Sequence, residues 1–363
     1  MAIDTTSPTD DAPGSSPRSY VRIATEEAFL TREVHDALVR LVERRAVDDP
    51  GFYSLFGHYA TSTSERAQGI ISRLLDLDQT RIEDMDRTGI AVQVLGLTAP
   101  GVQVFDPQTG TALARSSNDE LAAAVDRHPE RFVGLAAVAP QDPAGAAEEL
   151  ERGVSRLGLR GGIVNSHTQG EYLDDPKFWD IFEAAQSLGV PLYLHPVTPP
   201  PSMIGPLLER GLDGAIYGFA VETSVHILRL IVSGVFDRFP DLQVVVGHLG
   251  EGLPFWLYRL DYMHEAVVRA RRYESVGPLE RTISEYLRQN FYLTTSGMPW
   301  APAILFTRSV VGGDRVMYAM DYPYQFVPDE VRRSDELPLD EEEMRQFYQS
   351  IAARVFSITS VSA

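Results

Sequence analysis

Four residues of this 363-residue chain place metal-competent side chains at the ends of short apolar runs. Glu26 lies in Ile23-Ala24-Thr25-Glu26-Glu27-Ala28-Phe29, and His195 closes Leu192-Tyr193-Leu194-His195. His248 follows Val244-Val245-Val246-Gly247, and Asp321 follows Val316-Met317-Tyr318-Ala319-Met320. Two carboxylates and an imidazole suit a divalent cation that keeps positions open for water and substrate. A set this rich in oxygen leans toward manganese or magnesium, with zinc also possible. Taken singly, each residue has an ordinary explanation. Asp321 could start a turn ahead of Pro323, Glu26 could be a loop charge, and a strand-end histidine is often a satisfied structural group. Their common position at the ends of strands singles them out. Glu251, three residues after His248, could accept a hydrogen bond from the imidazole and fix its tautomer, or could favour a helix N-terminus by its charge alone. His167, in Asn165-Ser166-His167-Thr168, would face the same way and is a pocket candidate. His35, His58, His128, His226 and His264 read as surface or packing residues.

The elements that must position these groups are short buried runs separated by amphipathic helices. The runs are 21–24, 91–99, 132–140, 159–166, 191–196, 242–250, 290–297 and 316–324, each rich in Val, Ile, Leu, Tyr or Ala without strict alternation. That is the pattern of parallel strands covered on both faces. The spacing predicts helices over 144–157 and 178–188, with Gly158 and Gly189 as stop signals. Eight alternations of this kind predict an α/β fold, a (β/α)8 TIM barrel with loop insertions at the C-terminal face, where strand-end residues converge on one mouth. No glycine-rich phosphate fingerprint supports a doubly wound sheet instead. Three elaborations stand out: an aromatic and glycine-containing stretch at 46–63, a Pro-rich, loop-like 197–218, and 329–343, whose eight acids against two arginines read as a solvated edge. Residues 1–19, all but devoid of apolar side chains, are expected to be a disordered tail, and 20–363 a single barrel domain.

Thirty-two basic residues against 51 acidic ones give a net charge of −19, which argues against nucleic-acid or anionic-membrane binding. Cysteine is absent, so disulfides and thiolate chemistry are excluded. No apolar run is long enough to cross a bilayer, and no basic, then apolar, secretory pattern opens the chain, so a cytoplasmic location is expected.

The segments IATEEAF, DMDRTGI, RHPERFVGLAAVAPQDP, VNSHTQGEYLDD, LYLHP, GFAVETSVHILRL, GHLGEGLPFWLYRLDYMH and RVMYAMDYPYQF together resemble the amidohydrolase superfamily, in its branch of metal-dependent, non-oxidative aromatic-acid decarboxylases. The likeness runs from about Tyr20 to Ile358. It implies decarboxylation of an ortho-hydroxylated aromatic acid, with 5-carboxyvanillate going to vanillate and CO2 as the expected reaction. Decarboxylation of 2,3-dihydroxybenzoate or γ-resorcylate is the alternative, as is metal-dependent hydrolysis of a lactone or amide on the same barrel. Where many superfamily members carry His-x-His, this chain has Glu26 and Ala28, and no lysine ends strand four. The implied ligand set is therefore Glu26, His195 and Asp321 around one divalent metal, Mn2+ before Zn2+ or Mg2+. Asp321 is the implied proton donor to the ring, with His248, oriented by Glu251, at the phenol oxygen. Arg66 and Arg259 would bind the diacid. In relatives an arginine on the latter helix reaches a neighbouring subunit, so a homodimer or homotetramer is implied. Tyr324 and His167 would contact ring substituents, and Phe29, Phe56 and Trp300 would supply apolar walls.

Overall fold

The computed structural model describes residues 19–359. The expected tail lies outside the described residues except for Ser19, whose hydroxyl accepts from Arg345 Nη2 at 2.6 Å. The strands are β1 (Ile23–Phe29), β2 (Val92–Leu97), β3 (Phe132–Gly134), β4 (Ala136–Ala137), β5 (Gly162–Asn165), β6 (Leu192–His195), β7 (Val244–Val246), β8 (Phe291–Thr294) and β9 (Val316–Met317). Neighbours pair in parallel, in the order β1-β2-β3 and β4 through β9. Apart from His195, every strand residue is buried, which is why the runs read as continuously apolar.

The two sheets are one barrel. At the junction, Leu135 N donates to Leu95 O at 2.9 Å and Ala136 N to Gly161 O at 2.8 Å, so β3 and β4 form a single stave. The stave is interrupted because the Asn118 side chain takes the place of β2 beside Ala137. Asn118 Oδ1 accepts from Ala137 N at 2.8 Å, and its Nδ2 donates to Ala137 O at 2.9 Å. At the other seam, Thr25 N donates to Tyr318 O at 3.1 Å and Ala28 N to Tyr322 O at 2.7 Å, closing the last stave on the first. Eight staves with helices outside make a (β/α)8 barrel.

Helices Pro143–Leu157 and Trp179–Leu188 fall where their spacing places them, and Gly158 and Gly189 end them in the left-handed conformation. Four expectations need correction. Strand one continues past Glu26 to Phe29 instead of ending at Glu26. The last strand ends at Met317, and 318–322 continues as irregular backbone tied to β1. The stretch 197–218 is not all loop but holds the helix Pro201–Leu208, because Pro at a first helical turn is favourable. The acidic 329–343 forms the helices Pro328–Asp335 and Glu341–Arg345, and Glu330 is buried rather than solvated. No helix among the described residues is long and apolar enough to cross a membrane.

Asn118 satisfies two buried backbone groups that no neighbouring strand reaches. The variant Asn118→Ala is expected to lose about 3 kcal/mol of unfolding free energy, since both Ala137 groups are left unpaired. Urea denaturation measures this, and an unchanged midpoint would mean that water or the sheet replaces the amide.

Candidate active site

Glu26 is aimed by a fault in the ladder. Ala24 pairs with Gln93 and Glu27 with Leu95, so Thr25 and Glu26 together oppose Val94. Such a bulge twists the strand and redirects a side chain. The carboxylate is 6% exposed. Its Oε2 accepts from the Tyr193 hydroxyl and from Thr294 Oγ1, the latter at 3.0 Å. Gly247 packs directly on it, and a Cβ there would lie 2.3 Å from Oε2. Burial, reinforced by the Glu26 charge, pushes the Tyr193 phenol far up, so it stays a donor.

The other oxygen, Oε1, is buried with no hydrogen-bond partner. His195 Nε2 stands 3.6 Å from it and His248 Nε2 3.9 Å. The His195 Nδ1 faces Pro196 O at 2.8 Å, which assigns the proton to Nδ1 and turns the Nε2 lone pair toward Glu26. Burial holds His195 below the ordinary imidazole range against the opposing pull of Glu26, so it is neutral and able to ligate. Two donors on one ion at bonds of ~2.1 Å lie roughly 3.0–3.6 Å apart, so the Glu26–His195 spacing fits a shared cation. Asp321 borders the same narrow cavity as Glu26 and His195. Among the described residues no three such side chains stand together at ion-binding spacing, so the shared-cation distance is met by Glu26 and His195 alone.

His248 and Asp321 sit on strained backbone. His248, Leu249, Glu251 and Asp321 have φ of 51°, 56°, 55° and 72°, a region that costs non-glycine residues energy and clusters at functional sites. His248 Nδ1 donates to Glu251 Oε1 at 2.7 Å, so Glu251 does bond the imidazole, and the helix Leu253–Ala270 starts only beyond it. Burial opposes charge on His248, but Glu251 and Glu26 outweigh it and push the imidazole up to about 10. Burial raises the Asp321 carboxyl, the His248 charge opposes this, and Glu26 adds to it. Gly297 separates the two: a Cβ there would lie 3.2 Å from His248 Cδ2 and 3.6 Å from Asp321 Oδ2.

Above these groups opens a larger cavity, lined by His195, His248, Asp321, Arg66, Tyr324 and Gln325 with Leu30, Leu55, Phe56, Tyr59 and Phe219. The Tyr324 hydroxyl bonds Thr98 Oγ1 at 2.6 Å, and its carbonyl accepts from Arg66 Nη2 at 2.9 Å. Arg259 lies elsewhere, on the exposed side of the helix Leu253–Ala270. His167 requires correction. It lines a neighbouring cavity with Phe52, Gln103 and Thr198, and both ring nitrogens are occupied by backbone. Its Nε2 donates to Thr198 O at 3.0 Å, and its Nδ1 accepts from Gly170 N at 3.1 Å. Of the expected apolar walls only Phe56 lines the cavity; Phe29 is fully buried, and Trp300 is 63% exposed. Tyr193, Thr294, Gly247, Tyr59 and Gln325 were missed by sequence reasoning. Tyr193 had a signal, since it lies two residues before His195 on one strand and so faces the same side.

The amidohydrolase family model matches residues 68–358. The chain belongs to the amidohydrolase family. A solved 5-carboxyvanillate decarboxylase from Novosphingobium aromaticivorans, complexed with manganese and 4-hydroxy-3-methoxy-5-nitrobenzoic acid, is similar at a TM-score of 0.92 and 54% identity, covering 93% of this chain and 96% of that one. The 5-carboxyvanillate decarboxylase from Sphingomonas paucimobilis is similar at a TM-score of 0.88 and 41% identity, over 94% of this chain and 100% of that one. A gamma-resorcylate decarboxylase from Polaromonas sp. strain JS666 is 40% identical over 264 residues, 70% of this chain and 79% of its own length.

In this amidohydrolase the Tyr193 hydroxyl keeps Glu26 Oε2 occupied and leaves Oε1 facing the cavity. Tyr193→Phe is expected to weaken manganese binding by about tenfold, a typical effect of removing a group that orients a ligand. Calorimetric titration of metal-free protein measures it, and unchanged affinity would show that Thr294 alone orients the carboxylate.

Proposed function

We propose that this amidohydrolase is a metal-dependent carboxy-lyase that converts 5-carboxyvanillate to vanillate and CO2. The observation that carries the proposal is a single cavity in which the His195 and Asp321 end of the barrel faces an aromatic-sized space bordered by Leu55, Phe56 and Phe219, with Arg66 on its wall. The solved relative that holds manganese and a methoxylated hydroxynitrobenzoate supports the same reading.

Glu26, His195 and Asp321 would hold one divalent ion, manganese by the relative's example, and the bare Glu26 Oε1 is the atom that fits it. When bound, the ion supplies Lewis acidity to the ortho phenolate and carboxylate oxygens. The protein's own groups then perform the proton chemistry. Losing CO2 directly would leave an aryl carbanion, so the ring carbon that bears the carboxylate is protonated first. Asp321, which borders the same cavity as Glu26 and His195, gives a proton to that carbon as electron density moves in from the phenolate. The C–C bond then breaks, its electron pair restores the aromatic ring, CO2 departs, and Asp321 is reprotonated from solvent. His248, charged and held by Glu251, turns its remaining N–H toward the phenolate oxygen. Arg66 meets the second carboxylate, the group that a diacid keeps after the reaction.

Arg259 belongs to a different surface. Its helix exposes Phe255, Trp256, Tyr258, Tyr262 and Met263, with Tyr258 at 85%, and Phe255 packs on Phe306, itself exposed. A contiguous apolar face of this kind marks an interface, which supports a homodimer or homotetramer in which Arg259 serves a neighbour's cavity. Decarboxylation of γ-resorcylate is the second reading, favoured by the 40% identical relative. Arg66 weighs against it, because γ-resorcylate has no second carboxylate to meet.

Purified protein supplied with manganese is expected to release CO2 and vanillate from 5-carboxyvanillate, and Asp321→Asn to lose at least about a thousandfold in kcat. Arg259→Ala is expected to raise KM by about tenfold or more. Turnover of γ-resorcylate alone would move the substrate within the reaction class. A ring-opened acid from a lactone, with no CO2 from any of these acids, would overturn the reading.

A further inference from the structure

The structure assigns to Glu27 the positioning of Asp321. Glu27 is 2% exposed and neighbours the ligand candidate Glu26, yet its carboxylate is turned to the last stave of the barrel. Oε1 accepts from Met320 N at 2.9 Å and Oε2 from Tyr322 N at 3.0 Å. These are the backbone N–H groups of the residues on either side of Asp321, so one carboxylate grips the 319–320 and 321–322 peptides and Asp321 is spanned between them.

The grip explains how Asp321 keeps a φ of 72°. An aspartate there gives up about 1–2 kcal/mol relative to ordinary backbone and stays only where its surroundings over-determine it. The surroundings do so. Ala28 N donates to Tyr322 O at 2.7 Å, and the Tyr322 hydroxyl donates to Asp84 Oδ2 at 2.9 Å. Arg81, fully buried, lies 4.7 Å over the Tyr322 ring and donates to Ala28 O at 2.8 Å. The adjacent residues Glu26 and Glu27 thus divide the work. Glu26 presents an oxygen to the cavity, and Glu27 determines where the second carboxylate of the site stands. Because β9 ends at Met317, Asp321 lies beyond the strand ladder and is held by the Glu27 side chain from β1 together with Gln325 N, which donates to Asp321 O at 2.9 Å.

The conformational part of this inference stands by itself, while its kinetic part rests on the proposed role of Asp321 in decarboxylation. Glu27→Gln retains the volume but puts an NH2 against one of the two amides. A crystal structure of this variant is expected to show Asp321 out of the left-handed region and its carboxyl displaced from the cavity wall. With 5-carboxyvanillate, kcat is expected to fall about a hundredfold, the cost of misplacing a reacting group by about 1 Å, while KM stays within about threefold. A merely structural role would lower the thermal midpoint and leave kcat per folded molecule unchanged. Should Glu27→Gln not fold, Glu27→Asp, one methylene shorter, is expected to show the same displacement with a drop of about tenfold in kcat. An Asp321 that keeps its φ and its place in either variant overturns the inference. If the parent protein proves inert on aromatic acids, the crystallographic comparison still decides the positioning role, and only the reading of the reaction fails.

Discussion

A carboxylate buried with one oxygen satisfied and the other bare is the constraint around which this barrel mouth is organised. Removing such a charge from water costs several kcal/mol unless an opposite charge meets it. Glu26 is built to bear that cost at one atom only. The bulge aims it, Tyr193 and Thr294 occupy Oε2, and Gly247 leaves room for the carboxylate itself. What remains is an oxygen with no hydrogen bond, flanked by the neutral His195 at 3.6 Å and the cationic His248 at 3.9 Å, with a second carboxyl across a small cavity. A divalent cation is the partner we propose for that oxygen.

The rest of the mouth follows from holding groups in positions that relaxed chain would not adopt. His248, Glu251 and Asp321 all lie in left-handed backbone, and each is fixed by a neighbour from another part of the fold or by the turn that contains it. The rigid staves make this possible, since strain stored in a loop persists only where packing overrules it. Charge is distributed in the same way. Glu251 keeps His248 cationic, whereas burial keeps His195 neutral, so two histidines 3.9 and 3.6 Å from one carboxylate oxygen have opposite roles available to them.

Much of this was legible in the residues. Buried strands announce themselves by continuous apolar runs, and a polar residue at the end of such a run has few places to go except the mouth of the barrel. That reasoning located Glu26, His195, His248 and Asp321, and the stop signals Gly158 and Gly189. It misread His167, because following a strand does not settle which of two adjacent cavities a side chain enters, and the backbone of Thr198 and Gly170 captures the ring. It overlooked Glu27, since neighbouring acids look alike until the partner strand is known. The bulge at Glu26 and the Asn118 patch beside Ala137 depend on register between distant segments, which short-range periodicity does not carry.

Anomalous diffraction at the manganese edge, from crystals of protein loaded with Mn2+, tests the central claim most directly. One strong peak per chain is expected, within bonding distance of Glu26 Oε1, His195 Nε2 and an Asp321 oxygen, and it is expected to vanish in Glu26→Gln. An ion bound elsewhere in the barrel, or a full peak that survives Glu26→Gln, would contradict the claim.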